Sequence, residues 1–129
     1  MIIFIKKIKI FFIFFYISFL VIFSGFNKLS AEEIDWIEVA KTNNQIQFID
    51  VNSIKYNNKG LLSVITKYSE VNPEDQSVIN SNTYLIGVDC ENRLFSQLPL
   101  GGVLNKVENW EKPTNNKLIK KTIMNSCSY

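Results

Sequence analysis

The chain has 129 residues, 47% of them hydrophobic, with two cysteines, no histidine and a formal net charge of +2. A chain of this length is expected to form one small domain rather than several. The lack of histidine excludes catalytic triads built on histidine and metal sites with histidine ligands.

The first 31 residues indicate an export signal. Residues 1–9 carry three lysines and no acid, and residues 10–26 form an uncharged, phenylalanine-rich run. This order is typical of a signal peptide, and cleavage after Ala31 would leave Glu32 as the new N-terminus. The run approaches the ~20 residues of a membrane span, so an uncleaved anchor in the inner membrane is the alternative. No cysteine lies near this segment, which excludes a lipid-modified N-terminal cysteine.

Export changes how the charge is interpreted. Residues 32–129, the expected mature domain, contain ten basic and twelve acidic residues, a net charge of −2. A mildly acidic domain lacks the basic surface of a nucleic-acid binder. Contact with the membrane is expected only through the N-terminal segment, if that segment is not cleaved.

Both cysteines, Cys90 and Cys127, fall in the exported part of the chain. Thiols outside the cytoplasm are normally oxidised into structural bonds, so a single Cys90–Cys127 disulfide is predicted. A free or metal-bound thiol pair is the alternative.

The first half of the exported part predicts short strands. Residues 34–40 and 45–50 are rich in β-forming residues and flank a polar turn at 42–44. Residues 51–54 predict one helical turn capped by the Asp50 carboxylate, and residues 57–60 predict another turn. Residues 61–69 alternate between apolar and polar, which indicates a strand with one buried face that includes Leu62, Val64 and Thr66.

The second half predicts a loop, a hairpin and a helix. Residues 71–80 contain turn-forming residues and predict an exposed loop. Residues 81–90 and 93–98 predict two strands joined at Glu91 and Asn92, with Asn92 able to adopt a positive φ. Residues 103–110 are compatible with a strand or with irregular structure. Residues 117–124 favour a helix over a last strand, with Lys117, Lys120 and Lys121 on the solvent side.

These elements predict an α+β domain in which five or six antiparallel strands are covered by one C-terminal helix. With the elements placed, the chain resembles the surface-adhesin protein E family over residues 35–127. The residues that carry the resemblance are Trp36 to Val39, Phe48 to Asp50, Ser53, Ile54, Lys67, Tyr68, Tyr84, Asp89, Cys90, Trp110 and Cys127. The resemblance implies a small sheet curved like a half-barrel, a helix packed on it, and a disulfide tying the sheet to the C-terminal segment.

The remaining side chains offer little catalytic chemistry. The carboxylates are scattered among strand edges and turns, and no pattern pairs two of them for acid and base roles. Glu74 with Asp75, and Asp89 with Glu91, are candidate calcium ligands, but turn residues that keep loops soluble are the preferred interpretation. Trp36 is predicted to lie in the core. Trp110 is left open between the core and a ligand-stacking platform.

These observations lead to a prediction for function. We expect a non-enzymatic binding module without a cofactor, in the periplasm or at the cell surface, that contacts a protein partner through residues 72–80 and 97–106. The resemblance to surface adhesins supports this hypothesis. The alternative is a membrane-tethered accessory domain of the envelope that keeps its N-terminal apolar segment.

Overall fold

A computed structural model describes residues 2–24 and 32–129 of the chain. The chain divides into two units, Met1–Ala31 and Glu32–Tyr129. In the first unit, helix α1 spans Ile2–Ser24, and its side chains from residue 7 to residue 19 are exposed. Within the described residues, no helix combines the length and the apolar character required to cross a membrane. The predicted cleavage site after Ala31 lies outside the described residues.

The second unit is an α+β domain with an open antiparallel sheet and a C-terminal helix, as predicted. Its elements in chain order are β1 (Trp36–Lys41), β2 (Gln45–Asp50), β3 (Lys55–Tyr56), β4 (Leu62–Val71), β5 (Val78–Asp89), β6 (Leu94–Leu98) and α2 (Lys117–Ser126). The strands are ordered β1-β2-β4-β5-β6, and the short β3 pairs with β4 on the same side as β2.

Local sequence explains where several elements begin and end. The Asp50 carboxylate accepts a hydrogen bond from the Asn52 N–H and caps a short 3-10 turn over Val51–Ser53, as predicted. The Asn116 side chain caps α2 in the same way by accepting from the Ile119 N–H at 3.1 Å. Each cap satisfies a backbone donor that the first turn leaves free.

The core lies between one face of the sheet and α2. Its buried side chains are Ile49, Leu62, Val64, Ile86 and Val88 from the sheet, with Ile119 and Ile123 from the helix. We call this the helix-side face of the sheet, and the opposite one the outer face. In α2 the predicted division is confirmed, because Leu118, Ile119, Thr122 and Ile123 are buried while the three lysines are exposed.

The disulfide between Cys90 and Cys127 joins the end of β5 to the C-terminal end of α2. It holds the helix against the sheet across 37 positions of the sequence. The predicted pairing is confirmed, and the structure contains no free cysteine among the described residues.

Two predictions for turns and loops are wrong, and one strand was missed. Residues 71–80 are not one loop, because β4 continues to Val71 and β5 already begins at Val78. At the β5–β6 turn, the positive φ of 54° belongs to Arg93 and not to Asn92. The strand β3 was not predicted at all. Residues 103–110, which were left open, form irregular structure with a 3-10 turn at Leu104–Lys106.

Candidate functional site

The turn between β4 and β5 is held by its own polar side chains. The Asn72 N–H donates to the Ser77 carbonyl at 2.8 Å, and the Asn72 side chain accepts from the Glu74 N–H at 2.9 Å. Asp75 accepts from both the N–H and the hydroxyl of Ser77, and Gln76 adopts a left-handed φ of 59°. This turn is therefore a defined structure rather than a free loop.

Hydrogen bonds within two turns also lower the pKa of the aspartate in each. Hydrogen bonds from the side chain and then the backbone of Ser77 hold the pKa of Asp75 below its ordinary value. Bonds from the side chain and then the backbone of Asn92 lower the pKa of Asp89 in the same way. Both carboxylates act as acceptors for their own turns. Among the described residues, no group of three or more acids and cysteines is placed to hold a metal ion.

The segment after β6 covers the outer face of the sheet. It leaves β6 at Pro99 and turns at Gly101, whose φ is 83°. It then lies over Gly87: a Cβ at that position would be 2.5 Å from Leu104 and 3.4 Å from the Trp110 ring. Glycine at position 87 therefore provides the room for this cover. Trp110 is half-buried there, outside the main core.

Exposed apolar side chains occur in both segments that were predicted to bind a partner. Val78 and Ile79, next to the β4–β5 turn, are each 64% exposed, and Leu100 and Val103 are 57% and 50% exposed. β5 runs antiparallel to β6, but β6 ends opposite Leu85, which lies about 23 Å along β5 from Val78 at ~3.3 Å per residue. The two segments therefore border the same stretch of β5 that β6 leaves unpaired, one at each end of residues 78–84. We call this region, residues 72–84 and 97–103, the hairpin end.

A polar groove lies on the helix-side face, beside the N-terminal end of α2. It has a volume of about 690 Å³ and is lined by residues of β2, β4, β5, β6 and α2 and by Asn109 and Glu111. At its floor the buried Gln47 donates through Nε2 to the Tyr84 hydroxyl at 3.1 Å. Tyr68 and Gln97 line its wall. Since these residues come from five separate elements, no local motif in the sequence could have indicated the groove.

A second depression lies beside the disulfide. It has a volume of about 580 Å³, and its floor includes Ile123, Met124 and the two cysteines. Arg93, Lys112 and Lys120 line it, while no acidic residue does. Exposed cations around an apolar floor are a common surface feature and do not by themselves define a ligand.

Trp36 lies on the outer face and not in the core, so that prediction is wrong. Its ring is half-buried, and the Lys67 Nζ lies 4.5 Å from the ring centroid. The same Nζ lies 4.7 Å from the centroid of Phe48. Alternation along β1 explains the error: Ile37 pairs with the buried Ile49, so Trp36 must point to the opposite side.

The acidic residue that is most buried is structural. Asp50 is 5% exposed and accepts from the backbone N–H groups of Asp35 and Asn52 through a single oxygen. It therefore joins the start of β1 to the end of β2. This arrangement explains its burial without any catalytic role.

The fold and these surfaces define a class: a small disulfide-bonded α+β domain whose surface includes exposed apolar side chains beside β5 and a polar groove. The model of the surface adhesin-E family matches residues 37–129, and the chain belongs to this family. The predicted resemblance is thereby confirmed. Comparisons with curated proteins and with solved structures give no match.

Proposed function

We propose that residues 32–129 form an exported, non-enzymatic binding module that contacts a protein partner through the hairpin end. Membership in the surface adhesin-E family supports an adhesin-like binding role. The observation that carries the proposal is the exposure of Val78, Ile79, Leu100 and Val103 on both sides of the unpaired stretch of β5, away from the disulfide that follows the far end of that strand. Exposed aliphatic side chains on a rigid scaffold suit a protein partner better than a small polar ligand.

The absence of an obvious catalytic group supports a binding role. The sequence has no histidine, and both cysteines are joined in the disulfide. The carboxylates with lowered pKa, Asp75 and Asp89, are acceptors within their own turns and are not positioned as a pair. We therefore assign no reaction to the domain.

We propose that residues 1–31 act as a signal peptide and that the domain works in the periplasm or at the cell surface. The order of lysines and apolar residues supports this proposal. The alternative, a tethered accessory domain with residues 10–26 retained, predicts a full-length protein that stays in the membrane fraction.

The partner can be captured directly in cells. A photo-crosslinking amino acid placed at position 79 or 100 should give one shared crosslinked product, because both positions are at the hairpin end. The same amino acid at position 124 is the matched control, since Met124 is 69% exposed but lies on α2. Capture of the same product at position 124 alone would contradict the proposed surface.

A further inference from the structure

We propose that the free edge of β5, residues 78–84, is a strand-addition site that takes an uncharged, extended segment of the partner protein in line with β6. The inference rests on the proposed binding function and specifies how the partner is held. We call these residues the open edge.

The open edge results from unequal strand lengths. β5 pairs with β4 along almost its whole length, but β6 pairs only with Leu85 to Asp89 of β5. β6 ends at Leu98, and Pro99 follows, which has no N–H for a further ladder bond. In the described part of the chain, no strand pairs with residues 78–84 on the side away from β4. At ~3.3 Å per residue, the open edge is about 20 Å long.

Two hydrogen bonds fix the direction of the backbone groups. The Ile65 N–H donates to the Ser53 hydroxyl, which lies on the side of β4 away from β5. Because alternate residues of an antiparallel strand face alternate neighbours, Thr66 and the other even-numbered residues of β4 face β5. The Phe95 N–H donates to the Glu111 carbonyl on the side of β6 away from β5. This bond agrees with the same alternation, because Phe95 pairs with the even-numbered Val88.

The same alternation can be carried across to β5. Thr66 pairs with Tyr84 and Tyr68 pairs with Asn82, so Tyr84 and Asn82 form the hydrogen bonds to β4. Ser81 and Thr83 then direct their N–H and C=O groups away from β4, towards the open edge. These four groups are spaced to bind another extended chain.

Within residues 32–129, the open edge lacks charged residues, proline and a covering segment, and its one irregularity is a register shift against Glu70 and Val71 at residues 78–80. Residues 78–84 contain no charged residue and no proline. Residues 78–83 are exposed and Tyr84 is half-buried, so no other segment that the structure describes covers the strand here. Native proteins commonly protect long edges with lysine, proline or a covering segment. An edge of this length with so little protection is therefore expected to pair with another strand or to cause aggregation.

The surroundings indicate the chemistry of the occupant. A cavity of about 420 Å³ lies over residues 82–84 on the helix-side face, next to the end of β6, and all of its lining residues are uncharged: Tyr68, Asn82, Thr83, Tyr84 and Gln97. A charged side chain in this cavity would lose hydration without gaining an ion pair. The matching occupant is therefore an uncharged segment of about six or seven residues in extended conformation.

A partner segment fits better than a second copy of the chain. In an antiparallel pair of open edges, the turn of one copy, residues 72–77, would be brought beside Leu98 and Pro99 of the other. A single extended segment has no attached turn and ends freely there. We therefore assign the open edge to a partner segment and treat self-association as a contradicting outcome.

The edge can be tested with a defined probe, the capped heptapeptide Thr-Val-Thr-Val-Thr-Val-Thr, and the protein as purified from cells. In the free protein the amides of Ser81 and Thr83 should exchange with solvent much faster than those of Asn82 and Tyr84. The peptide should slow exchange at Ser81 and Thr83. The same peptide N-methylated at its three central residues should have no effect, because it cannot donate those bonds.

A substitution pair isolates the backbone group. Thr83→Pro removes an N–H that faces the open edge while leaving the ladder to β4 intact, and it should weaken peptide binding about tenfold or more. Thr83→Ser, the matched control, keeps the N–H and should bind as the original protein does. The exchange pattern of the unsubstituted protein provides the test if Thr83→Pro fails to fold.

Several results would overturn the site. These are slow exchange at Ser81 and Thr83 in the free monomer, no change on adding the peptide, or equal binding by Thr83→Pro. Protection that rises with protein concentration, together with a doubled mass in light scattering, would assign the edge to a second copy instead.

If the partner captured at positions 79 and 100 still binds Thr83→Pro fully, the strand-addition site fails while the proposed function stands. If no partner is captured, the proposed function itself fails.

Discussion

The position of a residue in its strand decides which face of the sheet its side chain lies on, and Trp36 is an example. Trp36 has apolar neighbours in sequence, yet its ring lies against Lys67 on the outer face because Ile37 occupies the core side of β1. The contribution of Trp36 to stability should therefore be that of a half-buried ring with a cation–π contact, worth roughly 0.5–1 kcal/mol for the contact itself.

A pair of alanine substitutions tests this assignment. Trp36→Ala should lower the free energy of unfolding by about 1–2 kcal/mol, because only part of the ring is withdrawn from water. Ile49→Ala, at a position with no exposed surface, should cost about 2–5 kcal/mol. Urea denaturation of both variants measures the difference. If Trp36→Ala lowered the free energy of unfolding as much as Ile49→Ala or more, the ring would belong to the core and the assignment to the outer face would be wrong.

The two turn aspartates predict a pH dependence of stability. Asp75 and Asp89 have pKa values below the ordinary 3.8, because the folded state donates hydrogen bonds to their ionised forms. A depressed folded pKa contributes stability above the unfolded pKa, and this contribution is lost as pH falls through the folded pKa. We therefore expect the loss below about pH 4.

Carboxyl NMR titration should show both pKa values directly. Asp89→Asn should make unfolding less sensitive to pH below about pH 4, since one of the linked protonations is removed. The unsubstituted protein, measured over the same pH range, is the reference. Asp75 and Asp89 titrating as free aspartates would contradict the hydrogen-bonded turns.

At the scale of elements, alternation and caps predicted much of the fold. The strict alternation from Leu62 to Thr66 identified β4, and the spacing of Leu118, Ile119, Thr122 and Ile123 identified the buried side of α2. Both signals arise because each element buries one face against the same core.

The missed elements depend on contacts that are distant in sequence. Residues 78–80 are polar or follow a turn, and they are in a strand only because β4 supplies their partners. β3 has only two residues, both exposed, which is too short to show the alternation of apolar and polar residues that indicates a strand. The polar groove and the open edge likewise depend on strand order and relative strand length. The sequence indicated the two candidate binding segments but could not indicate that they border the same unpaired stretch of β5.

The disulfide links two elements, and its removal tests that link. Cys90→Ser and Cys127→Ser should each destabilise the domain by about 2–5 kcal/mol, because either change frees the end of α2 from β5. The double variant should cost about the same as each single one, since all three lack the same bond. Denaturation under non-reducing conditions measures this. Additive costs, or unchanged stability in one single variant, would contradict a shared structural bond.

At the scale of the whole molecule, the proposed export would determine which residues form the working protein. We expect the protein recovered from cells to begin at Glu32, because Ala31 satisfies the small-residue requirement of signal cleavage. Intact-mass measurement tests this expectation. A full-length species that resists alkaline extraction from membranes would instead favour the tethered domain, with residues 10–26 retained as an anchor.

The central claim is that the hairpin end binds a protein partner. The most direct test is the affinity of the captured partner for three purified proteins: the unsubstituted chain, the double variant Ile79→Ser with Leu100→Ser, and the control Met124→Ser. All three replaced side chains are more than half exposed, so each variant should keep its fold. We predict that the double variant binds at least about tenfold more weakly, through the loss of two apolar contacts, and that Met124→Ser binds normally. Equal affinity for all three proteins, or a loss confined to Met124→Ser, would contradict the account.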